Sequence, residues 1–351
     1  MNRRSLWELG GPTLLILAVP VAGSAMSRAL QLQARSILVT TAIVVALYLF
    51  IGNSGVLSFG HISFVALGAF AAGLATAPAA VKPTTFPELH PFLAQLQLGN
   101  LTSLVLAALI GGLFAFLVGI PIVRLSGLSA GIATFAVLII TNNVLRNWEV
   151  IGPGAKTLSL IPTTTGFIQA TVGAWLVVVV AYVYQRSRFG RVLRAAREDP
   201  SASRAVGIDI HRQRLLAFTL SGTLAGFAGG LLAHLLGSIN TQQVFLDLTF
   251  LTLAMLVIGG IGSLWGAVVG AVVISTLNSF LAEAERGMNL LGFKFQVPGS
   301  TRLVAMGVLM LAMLALRPTG LTASRELAWP FSNRRAQAPV GDRRSDPDAP
   351  G

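Results

Sequence analysis

Cysteine is absent from this 351-residue chain and charge is scarce, at 11% of residues. Without cysteine there is no disulfide, no thiolate nucleophile and no Cys-ligated zinc site. A soluble domain usually carries about 25% charged residues, so the shortage of charge argues against an ordinary soluble fold. Acids are the rarer sign, 13 against 25 Lys and Arg, and all fall in loops, at the ends of apolar segments or in the C-terminal tail. An ion-coupled carrier usually holds an ionisable residue in mid-membrane, which disfavours an autonomous secondary transporter. GxxxxGK[ST], GxSxG and HExxH are missing, so no P-loop, nucleophile elbow or zinc-protease helix is expected. His61, His90, His211 and His234 lack helical i, i+4 pairing, which leaves no metal site. No catalytic constellation remains, and a membrane enzyme is the weakest reading.

Apolar sequence dominates instead, at 54% of residues with a mean hydropathy of +0.75. Ten apolar segments lie near 12–27, 36–52, 55–77, 101–120, 126–145, 167–184, 214–236, 248–262, 264–282 and 300–316. Most have the length of a membrane-crossing helix, and none alternates as a barrel strand would. The fold class is therefore all-α and integral to the membrane, with about ten transmembrane helices. Residues 248–282 form one run broken by glycines and Ser263, so two spans, one long span or a re-entrant segment stay open there. The first segment also has the features of a signal peptide, but an uncleaved helix gives the more consistent topology.

The net charge of +12 reflects topology rather than nucleic-acid binding. With the N-terminus inside, the cytoplasmic side collects 17 of the 25 basic residues, and both ends are cytoplasmic. Residues 1–317 form the membrane domain, with a cytoplasmic loop over 185–213, and 318–351 are too polar to fold and are expected to be disordered. The outer loops over 78–100 and 147–166 are short and rich in proline or glycine. A short amphipathic stretch is expected within 283–299.

Three features carry a mechanism. The loop from Arg186 to Arg214 holds eight arginines, and within it Asp199-Pro200 is a helix start and Gly207 a left-handed stop. A two-turn helix follows over Asp199 to Gly207, with Ala202, Ala205 and Val206 as a small smooth face. Spacing alone leaves two readings open, a surface helix on lipid headgroups and a helix seated in a partner's groove. Second, Gly222, Gly226 and Gly230, and likewise Gly262, Gly266 and Gly270, recur every four residues and place a packing groove on one helix face. Third, Ser58, His61, Ser63, Thr134, Asn142 and Asn143 put polar atoms at membrane depth, where a translocation path would need them. Thr141 and Asn278 offer further polar points.

Three stretches together resemble the LivM-type permeases, the inner-membrane subunits of branched-chain amino-acid ABC importers. They are GNSGVLSFGHISFVALGAFAAGL (52–74), SRFGRVLRAAREDPSASRAVGIDIHRQRLLAFTLSGTLAGFAGGLLA (187–233) and VIGGIGSLWGAVVGAVV (257–273). The middle stretch is the specific one, and the likeness runs from about 36 to 318. It implies a multi-pass protein of the bacterial inner membrane with two inverted five-helix halves, traced faintly by the match of the third apolar segment to the eighth and ninth. It implies a LivH-type second permease, two cytoplasmic ATPase subunits that bind ATP and Mg, and a periplasmic solute-binding protein. This chain itself then binds no cofactor. The short cytoplasmic helix becomes a coupling helix that docks on an ATPase through Arg197, Glu198, Asp199, Pro200, Ala202, Arg204, Ala205, Val206, Gly207 and Ile208. Where that family often has an acidic residue, ATFAVLIITNN (133–143) has Ile139. Urea, short amides and other small solutes are alternative cargoes within the family.

Overall fold

A computed structural model describes residues 3–24, 28–80, 82–150, 152, 154–290, 293–295, 298, 301–317 and 320–322. In chain order the helices are α1 (Arg3–Ser24), α2 (Arg28–Ser54), α3 (His61–Thr76), the short α4 (Lys82–Thr85) and α5 (Pro91–Gln95), α6 (Asn100–Ile122) and α7 (Gly127–Asn147). Then follow α8 (Phe167–Arg186), α9 (Arg188–Glu198), α10 (Pro200–Ala205), α11 (Ile210–Leu236), α12 (Leu246–Gly259), α13 (Leu264–Arg286) and α14 (Thr301–Leu316). Among the described residues each of the ten apolar segments contains a helix. Among the described residues six are long and apolar enough to cross a membrane, and four more are apolar but shorter. The run over 248–282 is two helices, α12 and α13, parted by a turn at 260–263. Within 283–299, residues 283–286 continue α13, and Met288–Leu290 pairs antiparallel with Phe293–Phe295.

The connections sort to two ends of the bundle. At one end Leu98 N bonds Ala75 O, His90 N bonds Val150 O, and Leu158 pairs with Ile239 as an isolated bridge. Lys82 is buried there, and its ammonium donates to the Leu93 and Leu96 carbonyls, capping α5. Burial pushes that ammonium below the usual lysine range. At the other end sit the Gly55–Gly60 break, residues 123–126, α9, α10 and the turn at 260–263. Residues 320–322, placed by sequence in a disordered tail, fold back here: Leu321 N bonds Ile258 O and Thr322 N bonds Gly259 O. These bonds satisfy carbonyls that the end of α12 leaves free. The remainder of the predicted tail lies outside the described residues.

The centre is α11, packed on α2, α3 and α6. The glycine stripe explains how. A Cβ on Gly226 would strike the Ala107 carbonyl oxygen, one on Gly222 the Ala115 methyl, and one on Gly230 would lie 2.9 Å from the Leu104 side chain. On the adjoining side of α11, Gly229 rests on the Val65 carbonyl of α3, and Gly68 of α3 rests on Gly226. Backbones thus touch on two faces, and dispersion and Cα–H contacts replace the interdigitated side chains of a soluble core. In the second set Gly266 and Gly270 pack against Gly259 and Met255 of α12. Gly262 does not join them, since it lies in the turn before α13, where helical spacing no longer applies.

Candidate functional site

On the α9–α10 end, three caps divide the polar loop. Ser187 Oγ accepts from Gly190 N at 3.3 Å and starts α9. Asp199 Oδ1 accepts from Ser201 N (2.9 Å) and Ala202 N (3.0 Å), with Pro200 in the first turn, and starts α10. The Ser201 hydroxyl and the Ala202 amide hold the Asp199 carboxyl below the usual carboxylate range. Gly207, at φ 81°, ends α10 in the left-handed region, and Asp209 accepts from Arg212 N to start α11. Ala202, Arg204, Ala205 and Val206 are exposed and Ser203 is buried, so the smooth face points away from the bundle.

α9 was not foreseen from the sequence. Its four arginines read as topological charge, although Gly190, Leu193 and Ala196 recur every three residues and are its buried side. The basic residues on this end have a second task. Arg194 donates to the Gln185 carbonyl of α8, Arg197 Nη1 to the Gly52 carbonyl of α2 at 2.8 Å, His211 Nδ1 to Val123 O at 3.0 Å and Arg214 Nη1 to Leu125 O at 3.3 Å. All four acceptors lie at or just past the C-terminal ends of α8, α2 and α6, where helices leave carbonyls free and favour positive charge. Arg197, grouped by sequence with the docking residues, therefore turns its guanidinium toward the bundle. Arg186 of α8 pairs with Glu8 of α1.

The six polar residues separate into four environments. His61 is buried, with Nδ1 2.7 Å from Ser58 Oγ and Nε2 2.8 Å from Ser221 Oγ. Ser221 spends its proton on Ala46 O at 2.6 Å, so its oxygen accepts from His61 Nε2–H, and in the neutral ring Nδ1 accepts from Ser58. Phe50, Phe64 and Phe218 surround the ring at 5.3 to 5.5 Å between centroids. His61 and Ser58 thus tie α2, α3 and α11 together in the core. His61→Leu removes this tie, and the thermal transition of the detergent-solubilised protein is expected to fall by the equivalent of about 1–3 kcal/mol. An unchanged transition would show that the ring is only filler.

Thr134 clamps the chain break: its Oγ1 accepts from Phe59 N at 3.1 Å and donates to Gly131 O. Ser63 of α3 meets Thr141 and Asn142 of α7, with Leu138, Thr241 and Val244, along a seam too narrow to hold a water molecule. Asn142 Nδ2 donates to Thr241 O at 3.2 Å. Ser63 Oγ and Thr141 Oγ1 are buried there without a hydrogen-bond partner among the described residues. Buried hydroxyls are normally satisfied, so this seam between α3 and α7 holds unspent hydrogen-bonding capacity. Asn143 is exposed on another side of α7, and Ile139 does not line the seam. Asn278 lines a separate groove with Asp247 and Arg302. Thr241, absent from the sequence expectation, comes from the loop before α12, and nothing local in the sequence marks it.

The family model described as branched-chain amino acid transport system / permease component matches residues 31–314. The chain is 28% identical over 305 residues to the high-affinity branched-chain amino acid transport system permease protein LivM of Escherichia coli, covering 77% of this chain and 64% of that protein. The match thus spans under two thirds of that relative. It is 32% identical over 161 residues to the probable branched-chain amino acid transport permease protein LivH of Methanocaldococcus jannaschii, covering 44% and 47%. It is 27% identical over 286 residues to the nucleoside ABC transporter permease protein NupC of Lactococcus lactis, covering 76% and 82%. No solved structure matches.

Proposed function

Because the chain belongs to the branched-chain amino acid transport permease family, we propose that it is one of two membrane-spanning subunits of an ATP-driven importer for branched-chain or related amino acids. Its partners are a LivH-type permease, two cytoplasmic ABC ATPases that bind ATP and Mg, and a periplasmic solute-binding protein. The chain lies in a bacterial inner membrane with both ends cytoplasmic. It binds no cofactor and catalyses no reaction of its own.

The observation that carries this reading is α10: a capped two-turn helix whose small-residue face is exposed while α9 fixes its base to three membrane helices. A lipid-lying helix needs bulky apolar residues on its buried face, and α10 has Ala202, Ala205 and Val206 instead. A shallow face of that kind suits a protein groove. Closure of the ATPases on ATP then moves α10, and the bundles rock to part α3 from α7.

Ten spans in two inverted five-helix halves fit the element lengths. Taken from α1 and from α8, with the short α4, α5, α9 and α10 set aside, the helices run 22, 27, 16, 23 and 21 residues and 20, 27, 14, 23 and 16 residues. The 27-residue member of each half ends at a left-handed glycine, Gly55 (φ 70°) or Gly237 (φ 72°), before a non-helical stretch and a short helix. Gly55 and Gly237 lie at opposite ends of the bundle, as inversion requires. The correspondence supports pairing α3 with α12, and not with α13.

The likeness to a permease named for nucleosides supports a second reading, an importer of the same build for another small solute. Reconstitution separates these. Vesicles holding all the proposed subunits are expected to accumulate leucine only with ATP and binding protein. Leucine uptake by this chain alone, driven by an ion gradient, would refute the importer reading. ATP-dependent uptake of a nucleoside with no leucine uptake would establish the second.

A further inference from the structure

α9 is joined to α8 through Ser187 alone and to α10 through Asp199 alone. A displacement of α10 therefore reaches α9 with little slack. In its last turn α9 grips α2 at the point where that helix stops. Val56 N, which would have bonded Gly52 O had α2 continued, bonds Ser54 Oγ at 3.2 Å. Arg197 Nη1 takes its place on Gly52 O at 2.8 Å, a charge-assisted bond at a free helix carbonyl. The arginine stem covers Gly55, where a Cβ would fall 2.8 Å from Arg197 Cγ and 2.9 Å from Cδ.

The chain beyond this grip leads to the polar seam. Four residues on from Gly55, the Phe59 amide is held by Thr134 of α7 at 3.1 Å, and Gly60 lies against the Thr134 carbonyl. Two turns further along α7, Thr141 and Asn142 face Ser63 of α3. One guanidinium therefore connects the exposed cytoplasmic helix to the segment that fixes α7 against α3.

We infer that Arg197 is a positioning residue for transport: it carries the displacement of α10 to the break between α2 and α3, and through Thr134 to α7. This rests on the reading of α10 as the ATPase-docking helix. Coupling between distant sites needs evidence of coupling and not mere adjacency, so the readout is solute moved per ATP hydrolysed. In vesicles holding the complete importer, with leucine as solute, Arg197→Leu is expected to leave the complex assembled and ATP hydrolysed while transport per ATP falls roughly tenfold, as loss of one charge-assisted hydrogen bond predicts. Arg197→Lys, which keeps a cationic donor, restores the ratio. An unchanged ratio in Arg197→Leu overturns the inference. Should Arg197→Leu not assemble, Thr134→Val interrupts the same route away from α9, with a lowered ratio expected and an unchanged one overturning it. A wild-type complex that moves no solute would instead refute the importer reading.

Discussion

Gly229→Leu yields no correctly assembled protein. A Cβ at this position falls on the Val65 carbonyl and 3.0 Å from the Ala69 amide of α3, so the isobutyl group has nowhere to go. Overpacking a core usually costs about 1–3 kcal/mol because neighbouring side chains shift. Here the neighbours are backbone atoms of a helix buried over nearly its whole length, and only separation of the helices makes room. Separation of α3 from α11 would also break the His61–Ser221 bond and expose the Phe64–Phe218 contact. Gly307→Leu is the matched control, since nothing lies within 4 Å of a Cβ there. Size-exclusion profiles in detergent check the pair: aggregation or absence for Gly229→Leu, a normal monodisperse peak for Gly307→Leu. A normal peak for both would mean that the α3–α11 contact is looser than its geometry implies.

The glycine stripe on α11 was legible because close packing in a membrane needs small residues at four-residue spacing, and the helix is continuous from 210 to 236. The same spacing misled at Gly262, because a periodicity argument assumes a helix and the chain turns there. Helix positions were legible for a related reason: apolar runs must hydrogen-bond internally in lipid. Capping chemistry located α10 from Asp199, Pro200 and Gly207 alone, since each acts on its own backbone.

Contacts set by the fold were not legible. His61 stood out as a polar residue at depth, but Ser221, the partner that makes it a tie, lies 160 residues away. The arginines of the long loop read as topological signals, and nothing in their spacing says that Arg197 reaches Gly52 across 145 residues. The seam joins Ser63, Asn142 and Thr241 from three distant segments. Polarity at depth flagged the first two, while Thr241 sits in a loop, where polarity is ordinary.

The second large effect concerns the exposed face of α10. The paired substitutions Ala202→Glu and Arg204→Glu are expected to abolish co-purification of the ATPase subunits while leaving membrane insertion and the helix itself intact. Both positions are exposed, so neither change strains the bundle, and glutamate is a good helix former. In a groove fitted to the Ala202 methyl, however, Ala202→Glu buries an unpaired carboxylate, which typically costs about 2–5 kcal/mol at an interface. Reversal of Arg204 removes a charge and installs its opposite, adding repulsion toward any acidic partner surface. Together these weaken docking on the order of a hundredfold or more. Arg212→Gln tests whether a change of charge anywhere on this loop would do the same: Arg212 is exposed in the first turn of α11, outside the docking set, and co-purification should persist. Retention of the ATPases by the Ala202→Glu, Arg204→Glu protein would remove α10 from the interface and leave α9, with its arginines on the helix ends, as a brace for the membrane domain alone.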